Sequence, residues 1–307
     1  MSRKEVFLKK CRKQWKKNWL LYLMSLPVMA YYICFSYIPM AGVQLAFKEF
    51  RIKDGIWGSP WVGFEHFERF FSSYNFKQLL ANTLTISIYT LILGIVMPVI
   101  FALMLNYVRK ERMKKTIQML TYLPYFISTV VMVGMLEIFL GDRGMVNSVL
   151  GKLGAEPIGF LTTPSMFADV YAWSGTWQGL GFSSVMFVSA LAGVDYELHE
   201  AAIVDGASKW RRIWHIDLVA IRSLIMLVLI LNLGSVINVG YEKVLLMQNP
   251  LNMAASDVIS TYVYRLGVLQ QDYGYSTAVG LFNSLISVAL ILASNTIAKK
   301  TCNYSLW

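Results

Sequence analysis

Six stretches of this chain stay apolar for about the 20 residues that an α-helix needs to cross the hydrocarbon core of a bilayer. They run roughly from Trp19 to Met40, Thr83 to Val108, Ile117 to Leu140, Phe167 to Leu191, Ile221 to Val239 and Thr277 to Ala298. In lipid every backbone N–H and C=O must find a partner within the protein, so apolar runs of this length restrict the fold to a bundle of helices. Composition agrees: 56% of the 307 residues are hydrophobic and 15% charged, where a soluble domain carries about a quarter charged. No polar stretch is long enough to cover a separate globular core. One membrane unit, residues 19–298, is expected between a basic segment at 1–18 and a tail at 299–307. The first run follows basic residues as a signal peptide would, but its apolar part exceeds an h-region of about 7–15 residues and no small-residue cleavage site closes it. It is read as a retained helix.

Lys and Arg set the orientation. Eight lie in the first 17 residues and five between Arg109 and Lys115, Lys209, Arg211, Arg212 and Arg222 follow span four, and Lys299 and Lys300 follow span six, which puts 19 of 28 on one side. The positive-inside rule then makes both termini cytoplasmic. The net charge of +10 is thus mainly a topological signal, and nucleic acid drops out as a partner. The start, Val6-Phe7-Leu8 among lysines, also suits anionic lipid headgroups. Cys11, Cys34 and Cys302 have neither metal nor redox spacing.

An ion-coupled carrier needs an ionisable group or unwound backbone at mid-membrane. The spans hold almost no such group, since Glu137 and Asp169 fall near span ends. Uphill transport by this chain would therefore draw its energy from another subunit. Polar uncharged and aromatic residues are present instead: Trp173, Trp177 and Gln178 around Gly175 and Gly179 in span four, Asn232 and Asn238 in span five, Asn283 and Asn295 in span six. Amides exchange hydrogen bonds with hydroxyls and flat rings cover the apolar face of a sugar. Trp173, Trp177, Gln178, Asn232, Asn238 and Asn283 are the candidate lining of a substrate path, with interhelical hydrogen bonding as the alternative reading of each Asn. The Gly175 to Gly179 spacing is the small-xxx-small pattern of close helix contact.

No enzyme signature emerges. There is no G-x-x-x-x-G-K-[ST] phosphate loop, and His199-Glu200 opens like a zincin helix but Ile203 stands where the second His belongs. His66, His199 and His215 are expected at the surface and not on a metal.

The segment 195–218 carries the strongest local signals. Asp195 can cap a short helix whose first turns hold Glu197 and Glu200, and Gly206 can take the left-handed conformation that ends it. Ser208 can cap a second helix through Arg211 and Arg212. Two helices across a tight Gly turn make a compact knob, and Ala201, Ala202 and Ala207 leave it little side chain to hold a partner away.

Glu200-Ala201-Ala202, Asp205-Gly206-Ala207, Ile216 and Leu218 resemble the EAA loop of ABC importer permeases. Along nearly its whole length the chain is similar to the maltose-type, binding-protein-dependent sugar permeases, in the branch that handles oligosaccharides. The similarity takes in Leu26-Pro27, Tyr37-Ile38-Pro39, Gly63-Phe64-Glu65-His66-Phe67, Tyr122-Leu123-Pro124, Asn232-Leu233-Gly234, Glu242-Lys243 and Asn283. It implies an all-α membrane fold of the type I ABC importer permease, with six transmembrane helices and cytoplasmic termini, in a bacterial cell membrane. It also implies a second homologous permease, two cytoplasmic ATPase subunits that bind the ATP and Mg, and an extracellular solute-binding lipoprotein. The chain itself would bind no cofactor and do no covalent chemistry. Glu200, Ala201, Ala202, Asp205, Gly206 and Ala207 would dock on the ATPase, and the long outer segments, Ala41 to Asn82 and Gly240 to Ser276, with Trp57, Trp61, Tyr262 and Tyr264, would either receive the binding protein or form scaffolding over the pore mouth. A permease for a non-sugar solute and an ion-coupled secondary transporter are the alternatives. One departure stands out: the family has Pro after the position of Leu218 and again shortly beyond, where this chain has Val219 and Arg222-Ser223. Proline there would end the second helix and set its angle into span five, so this chain must bend otherwise or run the helix on.

Overall fold

A computed structural model describes residues 3–234, 236–237 and 239–302, with side chains for 17–234, 236–237, 239–296 and 299. Every long element is helical, and the only extended pairing among the described residues is a single bridge, Lys48 with Trp61. The elements that matter below are α1 (Arg3–Tyr32), α2 (Asn75–Asn106), α3 (Glu111–Tyr122), α4 (Thr129–Leu140), α5 (Phe167–Ala192), α6 (Tyr196–Val204), α7 (Lys209–Arg212), α8 (Leu218–Leu233), α9 (Tyr241–Met247), α10 (Ile259–Tyr264) and α11 (Tyr273–Cys302). Among the described residues, four helices are long and apolar enough to cross a membrane, in Lys17–Phe47, Asn75–Asn106, Lys209–Leu233 and Tyr273–Thr296, and bent pairs raise the number to six if each pair is one span.

Two expected spans differ from the sequence reading. Ile117 to Leu140 is broken: α3 ends in a 3-10 turn, Leu123–Phe126, and the helices on either side meet at 102°. Pro124 has no N–H to continue the helix, and Ser128 restarts it by accepting from the Val131 N–H at 3.4 Å. The fifth stops at Leu233, six residues short of the expected Val239, and begins earlier than Ile221.

Three apolar clusters stack along the bundle, and α2 joins them all. Leu79 packs with Phe70, Ile259, Tyr262, Tyr275 and Val279. Ile86 belongs to a middle group with Val133, Phe167, Tyr171, Val239 and Val244. Ile95, Val99, Ala102 and Leu103 pack with Phe187 and Leu191 of α5 and Ile221 and Val228 of α8, at the end nearer the 195–218 loop. Tyr262 is thus core, not docking surface, while Trp57 and Trp61 are exposed. The close helix contact expected around Gly175 and Gly179 falls two residues further on: a Cβ on Gly181 would collide with the Thr121 carbonyl of α3. In contrast, the described side chains of α1 are outside all three clusters, and its apolar side chains from Trp19 to Tyr32 are exposed.

Candidate coupling loop and translocation cavity

The 195–218 loop folds as its local chemistry dictates. The Asp195 carboxylate accepts from the Glu197 N–H at 3.0 Å and starts α6. At the other end Ala207 N–H reaches Ala202 C=O at 2.8 Å and Gly206 N–H reaches Ile203 C=O at 3.0 Å. This is the Schellman closure, and it needs the left-handed φ of +75° that Gly206 adopts. The Ser208 hydroxyl then caps α7, accepting from Arg211 N–H at 3.4 Å. The result is a knob with Glu200, Ala201, Asp205 and Gly206 exposed and Ala202 and Ala207 half-buried. Beside them stand Leu198, Ile203, Val204 and Trp210, with Val204 86% exposed. Exposed apolar groups rimmed by polar residues occur at protein or membrane interaction sites.

Without the two prolines the second helix does run on. α7 passes through a π-turn, Ile213–Asp217, into α8, making one element from Lys209 to Leu233. A π-turn widens the ring and rotates the side chains that follow, and here it turns Asp217 inward to complete burial. One carboxylate oxygen accepts from the Tyr107 hydroxyl at 2.8 Å, where α2 ends. The other meets His199 Nε2 at 3.3 Å and Asn106 Nδ2 at 3.4 Å. Asp217 thus joins α6, α8 and the end of α2. His199 is buried, contrary to its expected surface position; it serves this carboxylate, and no group of His, Cys, Asp or Glu among the described residues is arranged to hold a metal.

Between α2, α5 and α8 lies a cavity of about 680 Å³, lined among others by Ser87, Thr90, Tyr171, Ser183, Asn232 and Gly240. The volume suits a small ligand, for which about 300–1,000 Å³ is usual. The Ser87 and Thr90 hydroxyls belong to residues lining the cavity, are themselves buried, and have no hydrogen-bond partner among the described residues. The sequence reading missed both, because a hydroxyl in an apolar helix ordinarily bonds back to its own backbone, as Thr83 does to Leu79 C=O at 2.6 Å.

Of the six candidate path residues, the five that are described do not line one common cavity. Asn232 lines the main cavity while donating to Val228 C=O at 2.8 Å. Trp173 and Trp177 line a second, apolar cleft of about 450 Å³ against α4, with Asp169 at its edge, and Trp173 Nε1 donates to Tyr89 Oη at 2.8 Å. Gln178 donates to the Ile127 C=O at 2.7 Å, across the break between α3 and α4. Asn283 is buried in α11, and Asn238 lies outside the described residues.

A family model described as the binding-protein-dependent transport system inner membrane component matches residues 94–301. The chain belongs to this family of ABC importer permeases. Similar proteins include the Bacillus subtilis protein LplB, 43% identical over 93% of this chain and 90% of its own length. The polygalacturonan/rhamnogalacturonan transport system permease YteP of the same organism is 39% identical, over 91% and 88% respectively. Among solved structures, a chain of a bacterial ABC transporter involved in the import of the acidic polysaccharide alginate superposes with a TM-score of 0.89 at 37% identity, covering 95% of this permease and 99% of that chain. The fold is therefore the all-α, multi-pass fold of known ABC importer permeases.

Proposed function

We propose that this permease forms half of the translocation path of an ATP-driven saccharide importer, taking up an oligosaccharide delivered by an extracellular binding protein. The observation that carries the reading is the arrangement of one continuous element: Lys209–Leu233 bears the capped knob at one end and Asn232 of the cavity at the other. A second homologous permease supplies the other half, and two ATPase subunits bind the knob through the exposed surface around Glu200, Ala201, Asp205, Gly206 and Val204. ATP-driven closure of the ATPase pair moves the knobs, and the cavity passes from inward-facing to outward-facing access. Both termini are cytoplasmic, on the basic side of the membrane, and six spans result when each bent pair counts as one. The Asn232 amide, and the buried Ser87 and Thr90 hydroxyls once the cavity opens, offer hydrogen bonds to sugar hydroxyls.

The test is reconstitution. Proteoliposomes holding the permease, its permease partner and the ATPase pair should accumulate oligosaccharide only with ATP and binding protein present. Accumulation driven by an ion gradient, with no ATPase in the vesicle, would refute the reading.

A further inference from the structure

Lys243 of α9 is a charge without a counter-charge. Its ammonium donates to the Tyr171 C=O at 2.9 Å and lies 4.6 Å from the centre of the Tyr171 ring. It rests against bare helix at Gly175, where a Cβ would stand 3.2 Å from Nζ, so the missing side chain makes the room it occupies. No carboxylate among the described residues comes within 4.0 Å of it, and its neighbour Glu242 points to the exterior. Two other cations at this end of the bundle have a carboxylate partner, and a third, Lys48, is like Lys243 without one among the described residues. Arg265 pairs with Asp257 at 2.6 Å and Arg69 with Asp272 at 2.9 Å, while Lys48 is enclosed by two carbonyls and the Trp61 ring.

Desolvating an ammonium without an anion is costly, and a neutral amide would tether α9 to the Tyr171 carbonyl without that penalty. Burial pulls the Lys243 pKa down to about 8, which leaves the charged form dominant at neutral pH. The position is also informative. Tyr171, which the ammonium covers, and Gly240, which leads into α9, both line the main cavity, and Lys243 itself is half-buried and not sealed in.

We propose that Lys243 is the specificity-determining cation of the path, pairing with carboxylates of the passing sugar, so that the imported saccharide is acidic and built with uronic acid units. The inference rests on the saccharide-permease reading above. It adds that a charge, and not only hydroxyl recognition, selects the substrate inside the membrane subunit.

The experiment uses the full complex with its own binding protein in proteoliposomes. The probes are tetrasaccharides of galacturonate, glucuronate and mannuronate, each compared with its carboxyl-reduced, neutral counterpart. For at least one pair, wild-type uptake should favour the acidic form by about tenfold or more. Lys243→Met should lower that ratio by about tenfold, and Lys243→Arg, which keeps the charge, should hold it within about twofold of wild type. The Arg variant also guards against loss of assembly as the cause. Equal loss of acidic and neutral uptake in an intact Lys243→Met complex would make Lys243 a tether and overturn the inference. So would a wild-type complex that imports neutral saccharides alone, which leaves the saccharide reading in place. Failure to import any saccharide would overturn both.

Discussion

The Tyr107 hydroxyl, one residue past the end of α2, donates at 2.8 Å to the wholly buried carboxylate of Asp217, at the point where the loop turns into α8. The two are 110 residues apart. With His199 on the other oxygen, this carboxylate ties the junction to the end of α2 and to α6. A hydrogen bond to a charged group contributes about 1.5–3 kcal/mol, and a buried charge deprived of partners costs more. Tyr107→Phe should therefore lower the thermal unfolding midpoint moderately and reduce the sugar moved per ATP hydrolysed. Asp217→Ala should do both more severely. Thermal unfolding in detergent, with transport and ATP turnover counted in the same vesicles, checks this; an unchanged ratio of transport to hydrolysis in both variants would remove Asp217 from the coupling route.

Gly206 separates backbone from bulk. No atom lies within 4 Å of where its Cβ would be, so a side chain there meets no clash and the whole cost is the left-handed φ. That amounts to about 1–2 kcal/mol for an ordinary residue and less for Asn. Gly206→Val should open the knob and reduce ATPase co-purification strongly, while Gly206→Asn should keep most of it. Equal yields of bound ATPase for wild type and Gly206→Val would contradict the docking role.

The two unpartnered hydroxyls make stability and function move in opposite directions. A buried polar group with no hydrogen bond is destabilising, so Ser87→Ala should be neutral or stabilising by up to about 1–3 kcal/mol. Loss of a sugar contact should at the same time weaken uptake, and Ser87→Ala with Thr90→Val should do so further. Calorimetry and uptake kinetics on the same preparations decide the matter; a stabilised variant with unaltered uptake would place the substrate elsewhere.

Lys243 should leave a signature in the pH profile. Its pKa falls from the ordinary 10.5 to about 8 through burial; Tyr171 faces it from α5, and Glu242 on its own helix is exposed. Between these values the unfolded chain holds a proton that the folded chain has released, so this residue raises stability as pH climbs from about 8 to about 10.5. Below about pH 8 the full cost of the buried charge is present. The wild-type unfolding midpoint should rise relative to that of Lys243→Met across that window. A flat difference would mean that the ammonium is better solvated than its surroundings suggest.

What was legible in the sequence was what is local. Asp195, Gly206 and Ser208 act on backbone groups no more than three residues away, so capping rules place them without knowledge of the fold. The Asp217 site was not legible, because its partners come from α2 and α6 and nothing in Ile-Asp-Leu announces them. Pro124 was visible, yet a proline kinks some helices and breaks others, and only the Ser128 cap decides for a break here. Helix arithmetic could have separated part of the candidate path: Trp173 and Trp177, four apart, share a face, whereas Gln178 turns away to Ile127. Which face meets a cavity depends on the neighbouring helices.

The unbroken run from Lys209 to Leu233 has a mechanical consequence. At about 1.5 Å per residue, 25 residues make a rod about 37 Å long. With Asp217 as a fulcrum near one end, a tilt of about 5° carries the far end through about 2 Å, since roughly 16 residues lie beyond it. Asn232 stands at that end, so the throw there is comparable to the difference between a hydrogen bond made and one lost.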